Sequence, residues 1–298
     1  MSFVYRNIQA HAGYFVAGVA TTLVVVTNAP DLFSFQNQHK YKNHKALRFG
    51  LPESSTIRYF TNFVSQVDHR SKNPLWVIEH IPSSGTTSRK GVHYKEDEEI
   101  DPHFRGLLAH YRRSGYDRGH MSPASNNKNS ETAMRESFLL SNCCPQVGKG
   151  FNQDYWARFE QFIHDVVKPA CDNVYVVTGP LYLDNEIKRL QEVSIRESNI
   201  MTKPYDGLAV PTHFYKVILG EVSKDTYVLG AFVMPNAQIH PKTPLIDFQV
   251  KVGQLEQIAG VSFFPKLRHL QMKYSTRDVC SLNNCKLPRE QFWLKEKS

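Results

Sequence analysis

Three side chains in the middle of this chain, His120, Asn152 and Glu160, have the types and spacing to turn water against a phosphorus centre. Hydrolysis of a phosphodiester needs a base for the water, a cation against the phosphoryl oxygens and relief for the departing 3′ oxygen. An imidazole titrates near pH 6.5, so His120 can accept a proton at neutral pH. It closes the run Asp117-Arg118-Gly119-His120. There Gly119 frees the backbone, Arg118 can contact a phosphate and Asp117 can anchor the turn. Asn152 and Glu160 stand eight residues apart, and on a helix Asn152, Trp156 and Glu160 would share one face. An amide oxygen near that helix start suits a hard cation such as Mg²⁺, which takes few protein ligands and keeps most of its waters. Glu160, two turns on, would orient a metal-bound water. Arg89, in Ser88-Arg89-Lys90, can grip a phosphate bidentately and offset transition-state charge. Taken singly, each residue has a plainer reading: a structural histidine, an N-cap asparagine, a solvated helix glutamate, a surface arginine.

The elements that must hold these groups follow from hydrophobic periodicity. Near-alternating Ile57, Tyr59, Phe60 and Phe63, then Trp76-Val77-Ile78, predict two early strands. Residues 83–90 read as a loop, and Glu96-Asp97-Glu98-Glu99 as a solvated acidic loop. Residues 131–138 read as a helix. Residues 154–167 read as an amphipathic helix with Trp156, Phe159, Ile163 and Val167 on one side. Residues 173–177 form a buried strand closed by Thr178-Gly179-Pro180. Further strands are expected at 214–219 and 227–234, and 245–255 as a strand running into a short helix. Strands outnumber helices without alternating regularly with them, which predicts an α+β fold. No internal repeat or low-complexity tract is present.

The 298 residues are 41% hydrophobic and 12% aromatic, a composition for a packed chain rather than a disordered one. A net charge of +8 favours polyanionic partners such as nucleic acid or acidic lipid. Five cysteines imply no disulfide framework; all read as structural, and Cys280–Cys285 can bridge in an oxidising compartment. The first thirty residues carry Arg6 as their sole fixed side-chain charge, with a mostly apolar run over 13–26. They suit a secretory signal, an acid-poor mitochondrial targeting segment, or a membrane anchor slightly short of about 20 apolar residues. No Asn-x-Ser/Thr acceptor occurs, which disfavours secretion in a eukaryote. The expected division is a targeting segment or anchor at 1–30, a basic linker at 31–47 with Lys40, Lys42 and Lys45, and a globular domain at 48–298.

Asp117-Arg118-Gly119-His120 resembles the DRGH signature of the DNA/RNA non-specific endonucleases, the ββα-metal nucleases. The similarity continues through Ser114-Gly115-Tyr116, Met121-Ser122-Pro123-Ala124, Phe138-Leu139-Leu140-Ser141-Asn142, Pro145-Gln146, and Asn152 to Trp156 with Glu160. It runs on through Val177-Thr178-Gly179-Pro180-Leu181-Tyr182 and Val210-Pro211-Thr212-His213-Phe214, covering roughly residues 48–265. Within the family the chain is most similar to the mitochondrial endonuclease G group. The resemblance implies a central antiparallel sheet flanked by helices, with a ββα-metal hairpin and helix at the site. It implies His120 as general base and Asn152 as sole protein ligand of one Mg²⁺ or Mn²⁺. Glu160 would position the metal's waters and Arg89 would contact phosphate. Arg118 would bind nucleic acid, and Asp117 and Asn142 would support the site. DNA and RNA would be substrates, 5′-phosphate ends the products and a homodimer the assembly. His213 reads as structural and Trp76 as core.

Some residues depart from that group. Met121-Ser122-Pro123 and Asn126-Asn127-Lys128 resemble a related exonuclease-like branch, which carries Ser in place of Asp117. Endo- and exonucleolytic preference both stay open. So do a membrane-anchored nucleic-acid-binding protein without catalysis and a secreted nuclease of the same family. For the address, the inner mitochondrial membrane or intermembrane space is expected, with association through residues 7–30 if the segment is an anchor.

Overall fold

Seven consecutive residues, 214–220, are buried, which places their strand between two covered faces of a sheet. Alternation divides them: Phe214 and Ile218 join one apolar core, Tyr215 and Val217 the other. The computed structural model describes residues 45–82, 85–183, 207–270 and 275–288. The segment expected at 1–30 and most of the linker at 31–47 lie outside them. The chain divides into two units, one ending at Glu53 and one starting at Ser54. The described part of the first is a 3₁₀ turn, Lys45–Leu47, followed by exposed Phe49 and Leu51. All that follows concerns the second. Among the described residues no helix is long and apolar enough to cross a membrane.

The chain opens with β1 (Ser55–Tyr59), β2 (Phe63–Asp68) and β3 (Pro74–His80). A one-turn helix α1 (Leu108–Tyr111) precedes β4 (Asp117–His120), α2 (Glu131–Ser137) and β5 (Cys143–Gln146). Helix α3 (Tyr155–Phe162) leads to β6 (Asn173–Leu181), β7 (His213–Ser223) and β8 (Thr226–Pro235). The described part closes with β9 (Gln249–Val250), α4 (Val252–Ala259), α5 (Pro265–Leu270) and β10 (Ser275–Asp278). The main sheet runs β1-β2-β3-β6-β7-β8-β10, with β9 also on β8. Every pairing is antiparallel except β10 on β8. Helix α3 covers one face through Trp156, Phe159 and Phe162, all at most 1% exposed. Helix α4 covers the other through Leu255, beside Phe263. Each buried side chain of this size contributes about 1.5–3 kcal/mol. The chain is therefore an α+β protein with a mainly antiparallel sheet between helices, and β4 pairs β5 in a separate two-stranded hairpin.

Four local expectations change. The two early strands are three, because Phe60 N–H bonds the Phe63 carbonyl at 2.9 Å and the polar turn between them splits the run. The helix expected over 154–167 becomes a wider π-type turn at Ile163–Val167, yet still buries Ile163 and Val167. Residues 245–255 hold a 3₁₀ turn, a two-residue strand and a helix. The acidic run is not uniformly solvated. Asp97 is 3% exposed, with Arg58 Nε at 2.9 Å and the Ser141 hydroxyl at 2.6 Å, while Glu99 lies outside and also meets Arg58. A carboxylate survives burial only when paired and hydrogen-bonded. Trp76 packs at the edge of the second core. Cys280 and Cys285 are bridged, Cys143 and Cys144 are buried thiols, and Cys171 is part-buried.

Candidate active site

Hairpin β4–β5 fixes His120 from both sides of its backbone. The ladder sets Asp117 opposite Gln146, Arg118 opposite Pro145, Gly119 opposite Cys144 and His120 opposite Cys143. Gly119 is required by packing: a Cβ there would lie 1.9 Å from Gln146 Oε1 and 2.5 Å from its Cγ, and Gln146 is wholly buried. Beyond the histidine, Met121 N–H donates to the Asn142 carbonyl at 2.8 Å. The Asn142 amide then holds the next residue by both polar groups. It accepts from Ser122 N–H at 2.9 Å and donates to the Ser122 carbonyl at 2.9 Å and the Ser137 carbonyl at 2.8 Å.

The His120 ring meets Phe138 edge-on at 4.8 Å and Tyr94 at 5.3 Å between centroids. The residue is part-buried, but Nε2 is screened from solvent and has no hydrogen-bond partner among the described residues. Nδ1 lies 3.5 Å from the Tyr94 hydroxyl, which donates to the Arg118 carbonyl at 3.0 Å. Burial pushes the His120 pKa down to about 4, with the charges of Arg89 and Arg118 adding to the effect. The imidazole is thus neutral at pH 7. The Arg118 guanidinium lies 4.4 Å over the Tyr94 ring, and Arg89 is exposed in its loop.

Asn152 belongs to the tight turn Gly148–Asn152 before α3. The turn needs Gly150, at φ +81°, where a Cβ would lie 2.3 Å from Gln238 Cγ. Asn236 ties the turn down: its carbonyl oxygen accepts from Val147 N–H at 2.9 Å and its amide donates to the carbonyls of Pro145 and Pro211. The Asn152 amide nitrogen donates to Asp117 Oδ2 at 2.9 Å, and Gln153 Nε2 donates to the same oxygen at 2.8 Å. Since the network fixes which end of the amide faces Asp117, Oδ1 of Asn152 is left as an acceptor with no donor among the described residues. Among those residues no group of three His, Cys, Asp or Glu could hold a metal. This donor set does not suit zinc. It does fit a hard cation that takes one protein oxygen and keeps its waters.

Glu160 pairs with a buried lysine. The expected line of Asn152, Trp156 and Glu160 on one helix face is broken, because α3 begins at Tyr155 and Asp154 is non-helical (φ −129°, ψ −90°). Trp156 goes into the core. Glu160 Oε1 lies 3.6 Å from Lys216 Nζ, a lysine 1% exposed within the apolar run of β7. Lys216 also donates to Thr178 Oγ1 at 2.9 Å and the Met121 carbonyl at 3.4 Å, and sits 4.9 Å over the Trp156 ring. Burial pushes the Glu160 carboxyl up to about 7; Lys216 opposes this and nearby Glu79 adds to it. Glu79 is itself buried and raised by desolvation, with Ser122 and Asn126 donating to it. The Met121 carbonyl contact is what links this polar layer to the histidine strand.

Arg89, Asp117, Arg118, His120, Asn142 and Asn152 therefore converge around the hairpin, while Glu160 faces Lys216. A cleft of about 520 Å³ runs beside Glu160, Asn126 and Lys128, and another of about 780 Å³ beside Lys90, His93, Lys95 and Arg135; neither is lined by His120. His213, at the start of β7, contacts Thr212 Oγ1 through Nδ1 at 3.0 Å. Sequence reasoning missed Tyr94, Glu79, Lys216, Gln153 and Asn236. Only Lys216 left a signal, a lone lysine inside the otherwise apolar run at 214–220 of β7.

Comparison with known proteins converges on one family. A family model described as DNA/RNA non-specific endonuclease matches residues 41–270. The chain is 39% identical over 239 residues to a "Mitochondrial nuclease" of Saccharomyces cerevisiae, covering 77% of this chain and 70% of the relative. It is 37% identical over 271 residues to "Nuclease EXOG, mitochondrial" of Danio rerio, covering 86% and 75%. A solved structure of an EndoG/EndoGI complex contains a chain that matches with a TM-score of 0.64 and 35% identity, covering 78% of this chain and 94% of that one.

Proposed function

The chain belongs to the DNA/RNA non-specific endonuclease family, and from that premise we propose that it hydrolyses phosphodiester bonds in DNA and RNA, with His120 as general base and Asn152 as the protein ligand of one Mg²⁺ or Mn²⁺. The observation that carries this reading is Oδ1 of Asn152, freed as an acceptor by the bond from its amide nitrogen to Asp117, together with a His120 imidazole that burial keeps neutral at pH 7. A bound cation would offset charge on the phosphoryl oxygens and the departing 3′ oxygen. His120 takes the proton of the attacking water, and cleavage leaves 5′-phosphate ends. Arg89 and Arg118 hold flanking phosphates. Asp117 and Asn142 keep the amide and the histidine strand in place. Glu160, on α3, positions the waters of the cation.

The protein works in mitochondria, at the inner membrane or in the intermembrane space, by analogy with relatives named mitochondrial; the homodimer follows from the family resemblance alone, and residues 7–30 provide any membrane association. Cleavage of plasmid DNA and single-stranded RNA in Mg²⁺, Mn²⁺ or chelator, beside His120→Ala, tests the chemistry. Wild type should cut both substrates only with metal, and the variant should lose about 10²–10⁴-fold in rate. Binding without cutting in either metal would instead favour a nucleic-acid-binding protein.

A further inference from the structure

Lys216 is 1% exposed, so it can meet no phosphate, and the hydrolysis proposed for this chain gives it no task. We propose that Lys216 is a positioning residue: its buried ammonium holds the Glu160 carboxylate in register with the strand that carries His120. The inference rests on the reading of Glu160 as the group that positions the waters of the cation.

A buried ammonium needs an acceptor for each of its protons. Lys216 meets three, each on a different part of the fold. Thr178 Oγ1 on β6 accepts at 2.9 Å, the Met121 carbonyl just after β4 accepts at 3.4 Å, and Glu160 Oε1 on α3 lies at 3.6 Å. The Trp156 ring, 4.9 Å from Nζ, covers the ammonium. Sheet register fixes the first acceptor, because Thr178 is the cross-strand neighbour of Lys216. The second belongs to the residue that follows His120, where the hairpin ladder ends. Nζ thus ties Glu160 to the backbone beside the base. Glu79 feels the same ammonium, and Ser122 and Asn126 donate to its carboxylate. Packing does not ask for this charge: an apolar side chain of similar length would lie on Trp156 without the cost of desolvating an ammonium. A cation with fixed partners, however, aims a carboxylate, and an apolar group cannot.

Lys216→Met in the full chain removes the charge and keeps an unbranched apolar stem. Plasmid cleavage in Mn²⁺ should show kcat down by about 10–100-fold, the usual effect of losing an outer partner of a metal site. KM for plasmid should stay within about twofold, because no binding contact to substrate is lost. Glu160→Gln and the double variant complete a cycle. Since Lys216 acts through Glu160, adding Lys216→Met to Glu160→Gln should cost less than about twofold more in kcat. An unchanged kcat in Lys216→Met beside a slow Glu160→Gln overturns the proposal, and so does a further loss of about tenfold in the double variant. Breaking a buried ion pair can unfold a protein. If Lys216→Met does not fold, the double variant, which lacks both partners of the pair, decides by the same comparison with Glu160→Gln. Glu160→Gln alone tests the underlying reading: at wild-type rate it takes Glu160 out of the chemistry, and the proposal falls with it.

Discussion

The amide nitrogen of Asn152 reaches Asp117 Oδ2 at 2.9 Å across thirty-five residues of sequence, joining the turn before α3 to the first residue of the histidine strand. This bond orients an otherwise reversible amide. With Asp117→Ala, either end of the Asn152 amide can face outward. Supporting hydrogen bonds of this kind are worth about 10–100-fold in metal affinity. The Mn²⁺ concentration for half-maximal plasmid cleavage should rise by that factor, with rate recovering at high metal. A metal titration indistinguishable from wild type would remove Asp117 from the account.

Gly119 and Gln146 form a second coupled pair. Gly119→Ala drives a Cβ into a buried amide side chain that cannot swing into solvent. Overpacking of this kind costs about 1–3 kcal/mol, so urea denaturation should shift to lower denaturant and cleavage should fall. Gln146→Ala added to Gly119→Ala opens the space and should recover part of both losses, as contacting residues are non-additive. Equal losses in the single and double variants would show that the glycine serves backbone conformation instead.

Glu160 makes stability depend on pH in a direction opposite to that of a salt-bridged carboxylate. Its pKa in the folded chain, about 7, lies above the ordinary glutamate value of 4.5. Between those values the folded state binds more protons than the unfolded state, so its stabilising contribution is present below pH 4.5 and is lost as pH rises through 7. Glu160→Gln removes that dependence. In chelator, the melting temperature of the variant relative to wild type should climb between pH 5 and pH 8, by the equivalent of about 1–3 kcal/mol. A difference that is flat with pH would mean Glu160 is ionised throughout, with Lys216 outweighing desolvation.

The fold was legible in the sequence where a pattern is local. The apolar stretch at 214–219 reads as a strand, and it lies within β7. The apolar spacing of Trp156, Phe159 and Ile163 had to face a core, and it does. The boundaries were not legible where short-range chemistry competes with periodicity. Phe60 and Phe63 continue an alternation, yet a turn bond between them folds the strand back. Asn152 and Glu160 keep helical spacing, yet Gly150 and Asp154 hold the preceding residues in a turn.

By itself the sequence determined the family, the hairpin motif and the identity of His120, Asn152 and Glu160 as candidates, because those residues sit in short runs whose spacing survives as text. Only the tertiary structure decided what surrounds them. It put Tyr94 beside His120, Lys216 between Glu160 and the Met121 carbonyl, and Arg58 on a buried Asp97. Periodicity tells a residue which face it occupies. It does not tell a buried polar group which partner, 26 to 95 residues away, will replace the water it has lost.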